Sequence, residues 1–215
     1  MPLHLYMHPF ASFCQKVLVA LYENGTPFEP HVVDLADETS RAAFLKVWPV
    51  GQFPVLRDEE KGLTIPESTI IIEYLADKYP GQADLVPADR DLALQTRLRD
   101  RFYDLHVDVP MQKIVTDRLR PPKKNDPHGV ELARSALLTA YGIIEEEMAT
   151  RTWATGSTFS MADCAAAPSL FYASLVQPFT ETHRHVAAYF ERLMRRPSFA
   201  RVVKEAEPYF KFFPR

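Results

Sequence analysis

Apolar and polar positions alternate near the start of the chain. Leu3, Leu5 and Met7 are separated by His4, Tyr6 and His8, the period-two pattern of a half-buried strand that Pro9 ends. The period then lengthens. Val17, Leu18, Ala20 and Leu21 form a helical stripe, with Ser12 as the expected N-cap and Asn24-Gly25 as the stop. Phe28 to Asp34 reads as a second strand and residues 36–47 as a weaker helix. Strand, helix and strand in this order predict a βαβ unit with two parallel strands. Apolar runs at 53–56 and 63–65, joined by a turn through 57–62, predict two more strands. Ile70, Ile71, Tyr74 and Leu75 then recur at helical spacing and predict a helix over 67–79.

From Pro80 to Asp89 turn and cap residues replace any apolar period, which predicts a linker at 81–89 between a unit at 1–80 and a second at 90–215. Beyond it the strand signals stop. Residues 89–119 carry a long helical pattern that Pro110 should kink or divide and Pro121-Pro122 ends. A helix follows at 129–150, then a turn at Gly156, then Ser160-Met161-Ala162-Asp163, where Ser160 is placed to cap and Asp163 to close a capping box. Ala162 and Cys164 to Ala167 are small, so the helix they begin can sit at the centre of an all-helical unit. Helices at 183–196 and 198–206 complete the pattern.

Composition excludes the exotic classes. With 47% hydrophobic and 25% charged residues over 215 positions, the chain has the balance of a globular protein with real cores. Two cysteines far apart in sequence do not make a disulfide framework, and no apolar run approaches a membrane span. No Lys or Arg precedes Lys16, as a signal peptide's n-region would require, and a cytoplasmic location is expected. A net charge of −3 gives no general attraction for nucleic acid; the basic cluster Arg118, Arg120, Lys123 and Lys124 reads as a solvated loop.

The stretch from Trp48 to Leu75 organises the rest. Pro54 stands at the entry of a strand-like run, where its missing N–H suits a tight turn better than a ladder. A cis bond there would leave the N–H and C=O of Phe53 facing a cleft, able to pair with a peptide-like ligand. Pro66-Glu67-Ser68 opens a helix, and free N–H groups at such an end attract carboxylates. This layout resembles the glutathione-binding half of the glutathione transferases. Gly156…Phe159-Ser160-Met161-Ala162-Asp163 is similar to the capping motif of their C-terminal domains, and Tyr189…Arg195-Arg196-Pro197-Ser198-Phe199 to their closing helices. The resemblance implies an α/β thioredoxin-like N-terminal domain, ordered βαβαββα, plus an all-α C-terminal domain. It also implies a homodimer that uses glutathione as co-substrate. By matched position, Gln52 would meet the glycyl carboxylate, the Phe53 backbone before Pro54 the cysteinyl amide, and Glu67 and Ser68 the γ-glutamyl end.

In this family the thiol lies at the start of the first helix, beside a Ser, Tyr or Cys. Its task is to be a thiolate: lowering a thiol pKa by about two units takes roughly 2.7 kcal/mol of preferential stabilisation. Here the position of the usual catalytic serine falls on Ala11, and Ser12 follows it. Ser12 is therefore the expected thiol partner, with capping of the helix as its rival role and a backbone N–H as a substitute. Cys14 is the alternative nucleophile, although Ala11 occupies the first place of what would be a C-x-x-C pair, and a buried, inert Cys14 is the favoured reading. Lys16 is expected at the surface. Phe10, Tyr103, His106 and Met111 are expected to line an apolar electrophile pocket between the domains. His106 and Asp108 lack a further ligand at metal spacing, so no metal site is expected. The aromatic tail from Pro208 to Phe213 is expected to dock, with covering the cleft as the other role. The activity implied is attack of glutathione thiolate on an electrophilic, apolar small molecule. The rivals are a glutathione-dependent reductase or isomerase, and a noncatalytic glutathione-binding or scaffold protein.

Overall fold

The computed structural model describes residues 2–214. Its first part runs β1 (Leu3–Met7), α1 (Ser12–Asn24), β2 (Glu29–Val32), α2 (Glu38–Val47), β3 (Val55–Asp58), β4 (Leu63–Pro66) and α3 (Ser68–Lys78). The sheet order is β2-β1-β3-β4, with β1 parallel to β2 and antiparallel to β3, and β3 antiparallel to β4. Alternation sorts the two faces. Leu3, Leu5 and Met7 pack into the core with Val17, Leu18 and Leu21 of α1, and Tyr6 and Val55 on the other face pack against Phe44 of α2. The third strand begins at Val55, not Phe53: the Phe53–Pro54 bond is cis, Pro54 has no N–H to give a ladder, and pairing with β1 starts at Val55 opposite Tyr6.

From Arg90 onward every regular element is helical: α4 (Arg90–Phe102), a π-helical stretch (Tyr103–Asp108), α5 (Val109–Arg118), α6 (Pro127–Met148), α7 (Met161–Val176), α8 (Arg184–Arg195), α9 (Pro197–Ala206) and a 3₁₀ turn (Glu207–Phe212). Pro110 divides the long helical pattern as expected, but by widening and not breaking it. The π turns lie just before Pro110, whose ring would crowd the carbonyl one ordinary turn back, and the rod α4–π–α5 continues. Helix α7 is buried along almost its whole length and packs against α1 and the rod. Its start carries the expected capping box: the Asp163 carboxylate accepts the Ser160 N–H at 2.9 Å, and also the Ala154 N–H at 2.9 Å and the Tyr189 hydroxyl at 2.6 Å.

Two expectations for α1 need correction. Ala11, extended at φ −91°, ψ 125°, holds the N-cap position because the turn closed by its N–H to the His8 carbonyl makes Ser12 the first helical residue. Lys16 is not at the surface. It is 1% exposed, and its Nζ sits 2.7 Å from Asp100 Oδ1 and 2.8 Å from Asp104 Oδ2 and donates to Thr69 Oγ1 at 2.9 Å. Two carboxylates from the rod compensate the desolvation that would otherwise forbid a buried ammonium.

Candidate active site

A cavity of about 730 Å³ lies between the sheet half and the rod. One wall comes from the loops that end β1 (Phe10 to Phe13), precede β3 (Gly51 to Pro54) and follow β4 (Pro66 to Ser68). Met111, Gln112, Val115 and Leu119 of α5 and the tail residues Phe212 and Phe213 also line it. Ser12, Gln52, Phe53, Pro54, Glu67 and Ser68 therefore share one cavity, with Phe10 and Met111.

Local geometry holds these groups ready. Gly51 has φ +70°, and an added Cβ would stand 3.0 Å from Leu45 Cδ2, so the turn before Gln52 needs glycine. Glu67 has φ 70° and ψ 119°, a conformation that costs a non-glycine residue about 1–3 kcal/mol. Its side chain makes no cap bond, and it delivers the chain into α3 at Ser68 with the first N–H groups of the helix free of side-chain partners. The loop after β1 is pinned from behind: Tyr172 donates to the Phe10 carbonyl at 2.8 Å, and Gln15 Nε2 donates to the Pro9 carbonyl at 2.8 Å and to Tyr172 Oη at 2.9 Å.

Ser12 Oγ donates to Asp108 Oδ2 at 3.2 Å. Gln112 Nε2 donates to that same oxygen at 2.6 Å and to Ser12 Oγ at 3.4 Å, while Asp108 Oδ1 is buried without a partner. Burial pushes the Asp108 carboxyl up to about 7; the Ser12 and Gln112 hydrogen bonds and Lys16 oppose the rise, and Asp104 adds to it. A carboxylate reached only by neutral donors is a proton acceptor near neutral pH.

The structure separates the remaining expected site residues. Cys14 is fully buried, and burial pushes its thiol up to about 12, so it is inert core. Tyr103 is not at the cavity: it is 1% exposed and packs toward Tyr189. His106 lies exposed against Phe102. The rod presents Arg101, Asp104, Leu105, Val109 and Gln112 to the cavity, and Tyr103 and His106 fall between those positions on other faces. The tail both docks and lines the cleft. Phe210 packs on Phe10 and Phe171, Phe213 stacks on Tyr172 with centroids 6.1 Å apart, and Arg118 donates to the Pro214 carbonyl at 2.9 Å. Asp108, Gln112 and Tyr172 were missed from sequence. A polar pair four apart in a helical pattern was the available signal for the first two, and nothing marked Tyr172.

A four-stranded sheet with helices on both faces, joined to an all-helical unit across a cleft, defines the class of thioredoxin-like proteins with a helical second half. Family models for the glutathione S-transferase N-terminal domain and the glutathione S-transferase C-terminal domain match residues 5–83 and 127–192. The chain belongs to the glutathione S-transferase family. It is 28% identical over 200 residues to the glutathione S-transferase GstB of Escherichia coli (strain K12), spanning 88% of this chain and 91% of that one. It is 26% identical over 198 residues to a stringent starvation protein A homolog of Haemophilus influenzae, spanning 91% and 87%. A crystal structure of a glutathione S-transferase from Methylobacillus flagellatus with glutathione bound superposes with a TM-score of 0.84 at 24% identity, covering 93% of this chain and 98% of that one.

Proposed function

We propose that this protein is a glutathione transferase that adds the glutathione thiolate to an electrophilic carbon of a largely apolar small molecule. The observation that carries this reading is the convergence of the strained Glu67, the start of α3 at Ser68, the unpaired Phe53 backbone and Ser12 on one cavity. The start of α3 and Ser68 suit the γ-glutamyl carboxylate, Gln52 the glycyl end, and the Phe53 N–H and C=O the cysteinyl amide. That arrangement brings the thiol to the start of α1, beside Ser12. The thiol proton passes to Ser12 Oγ as the Ser12 proton passes to Asp108, leaving a thiolate that accepts a hydrogen bond from the reformed Ser12 hydroxyl and a neutral Asp108. Phe10, Met111, Val115 and Leu119 then give the electrophile an apolar seat.

Residues 1–80 form the glutathione-binding unit in this reading, 81–89 the linker and 90–215 the helical unit. Exposed Ile70 on α3 and Leu94 and Leu98 on α4, at 53%, 61% and 53% exposure, support a homodimer, which sedimentation equilibrium tests. No helix of the described residues is long and apolar enough to cross a membrane; a cytoplasmic location is part of the proposal.

A second reading has one specific observation behind it. Ala11 has no hydroxyl and Ser12 gives its own to Asp108, so a noncatalytic glutathione-binding protein also fits, as does a relative named for a stringent starvation role. The ultraviolet absorbance of the thiolate in the protein–glutathione complex, followed against pH, separates the two. The protein's own thiols do not interfere, because burial holds Cys14 near 12 and Cys164 well above its usual value. A bound thiol ionising well below free glutathione, with turnover of an activated chloroarene, supports the transferase. Binding with an unshifted pKa leaves the noncatalytic reading, and no binding overturns both.

A further inference from the structure

On the sheet face away from α1, two strands bring three metal-ligating side chains together. Parallel pairing sets His4 of β1 opposite Glu29 of β2 and Tyr6 opposite His31, so all four point to one face. His4 Nδ1 lies 2.9 Å from His31 Nε2 and 3.6 Å from Glu29 Oε2, and His31 Nε2 lies 3.6 Å from Glu29 Oε1. Ligands about 2.0–2.1 Å from a tetrahedral zinc stand roughly 3.3 Å apart, and the observed spacings bracket that value. Among the described residues this is the one group of three or more His, Cys, Asp and Glu donors that converges so closely.

We infer that His4, His31 and Glu29 form a binding site for a divalent transition-metal cation of the zinc type, with three protein ligands and an open fourth position. The surroundings fit that use. His4 Nε2 is buried without a well-aligned hydrogen bond, and the Glu59 carboxylate stands 3.3 Å from it. A histidine that ligates through one nitrogen characteristically gives the other to a carboxylate, so a small turn of the ring on binding would satisfy both. Tyr6 stacks on His31 with centroids 4.8 Å apart and planes at 18°, which fixes the second ring. Neither cysteine competes, since both are buried. The consequence lies at the sheet edge. Among the described residues strand β2 pairs only with β1, and the chain leaving it carries Leu35 to the cavity wall, so a bound ion would pin the edge strand that supports this part of the cleft.

Calorimetric titration of the chelator-treated, dialysed full chain with zinc chloride tests the inference, with cobalt chloride as a spectroscopic probe. One zinc per chain is expected, with cobalt absorption of tetrahedral intensity and no thiolate charge-transfer band. The melting temperature of the wild type should rise with zinc. His31→Ala and Glu29→Gln should each weaken binding by about tenfold or more, and Glu59→Gln by about tenfold, as loss of an outer-shell partner does. These side chains are partly or largely exposed, and circular dichroism checks the folding of the variants. His183→Ala/His185→Ala, remote on the second half, should change nothing. Absence of saturable binding in the micromolar range would overturn the inference. So would binding that survives His31→Ala or that follows the His183/His185 pair.

Discussion

Helix α1 presents two side chains one turn apart, Ser12 and Lys16, to two aspartates one turn apart on the rod, Asp108 and Asp104, and the two meetings are opposite in kind. At Lys16 a buried ammonium lies between Asp100 and Asp104, and Arg101 reaches Asp104 at 2.9 Å, so charge is matched. At Ser12 the partner carboxylate has only a hydroxyl and an amide, and one of its oxygens has nothing. A matched cluster holds the two halves of the protein together; an unmatched one holds a proton loosely near neutral pH. The same helix face thus sets a charge-matched contact and an unmatched one a single turn apart.

Lys16→Met breaks the matched side and carries the largest expected effect. Asp100 would be left buried without its cation and Asp104 with Arg101 alone, which costs about 3–5 kcal/mol of stability. Urea unfolding at neutral pH reads this as a drop in midpoint. A loss comparable to that of an exposed ion pair, below about 1 kcal/mol, would mean that the cluster is not what joins the halves.

The unmatched side should show in stability as a function of pH. Asp108 is raised in the folded chain from the ordinary carboxyl range to about 7. Such a group favours the folded state fully below the unfolded pKa near 4, and that contribution is lost as pH rises through about 7. The swing is on the order of 4 kcal/mol. Asp108→Asn removes it, so the stability of the variant relative to wild type should climb from pH 4 to pH 7 and level off above. A difference that stays flat across this range would place the Asp108 proton elsewhere.

The same variant tests the chemistry. Asparagine keeps the shape and accepts no proton, so turnover at neutral pH should fall by about a hundredfold. The rise of rate with pH near 7 in the wild type should vanish from the profile. A merely structural Asp108 would lower the rate without removing that limb.

These two clusters also mark the limit of what the chain discloses before it folds. Period-two alternation gave β1, the small residues gave α7, and Pro54, Glu67 and Ser68 gave two loops of the cavity, because each signal is local. The meeting of Ser12 with Asp108 spans 96 positions, and no local pattern encodes it. Lys16 read as a surface residue for the same reason: a lysine looks solvated until the aspartates that surround it are known. Tyr103 and His106 are expected on the cleft because the long divided helix faces it in the family that the chain resembles. The rod's π turns carry the helical phase away from 3.6 residues per turn, and the cavity face passes through Asp104, Leu105 and Gln112 instead.

Ser12→Ala is the smallest of these effects and the one that reads the connection between hydroxyl and carboxylate. Removing one neutral hydrogen bond to a forming thiolate should cost about tenfold or less in turnover, since the N–H groups at the start of α1 would remain beside the thiol in the proposed pose. The informative part is the pH profile. The Ser12 hydrogen bond holds the Asp108 pKa down, so its loss should move the rate-limiting ionisation to higher pH, where Asp108→Asn abolishes it. In the proposed relay the two side chains act together, so the double variant should be scarcely worse than Asp108→Asn alone. Additive losses would mean two independent contributions, and an unchanged rate and profile for Ser12→Ala would leave thiol activation to the helix N-terminus, with Asp108 as a buried acid that the reaction does not use.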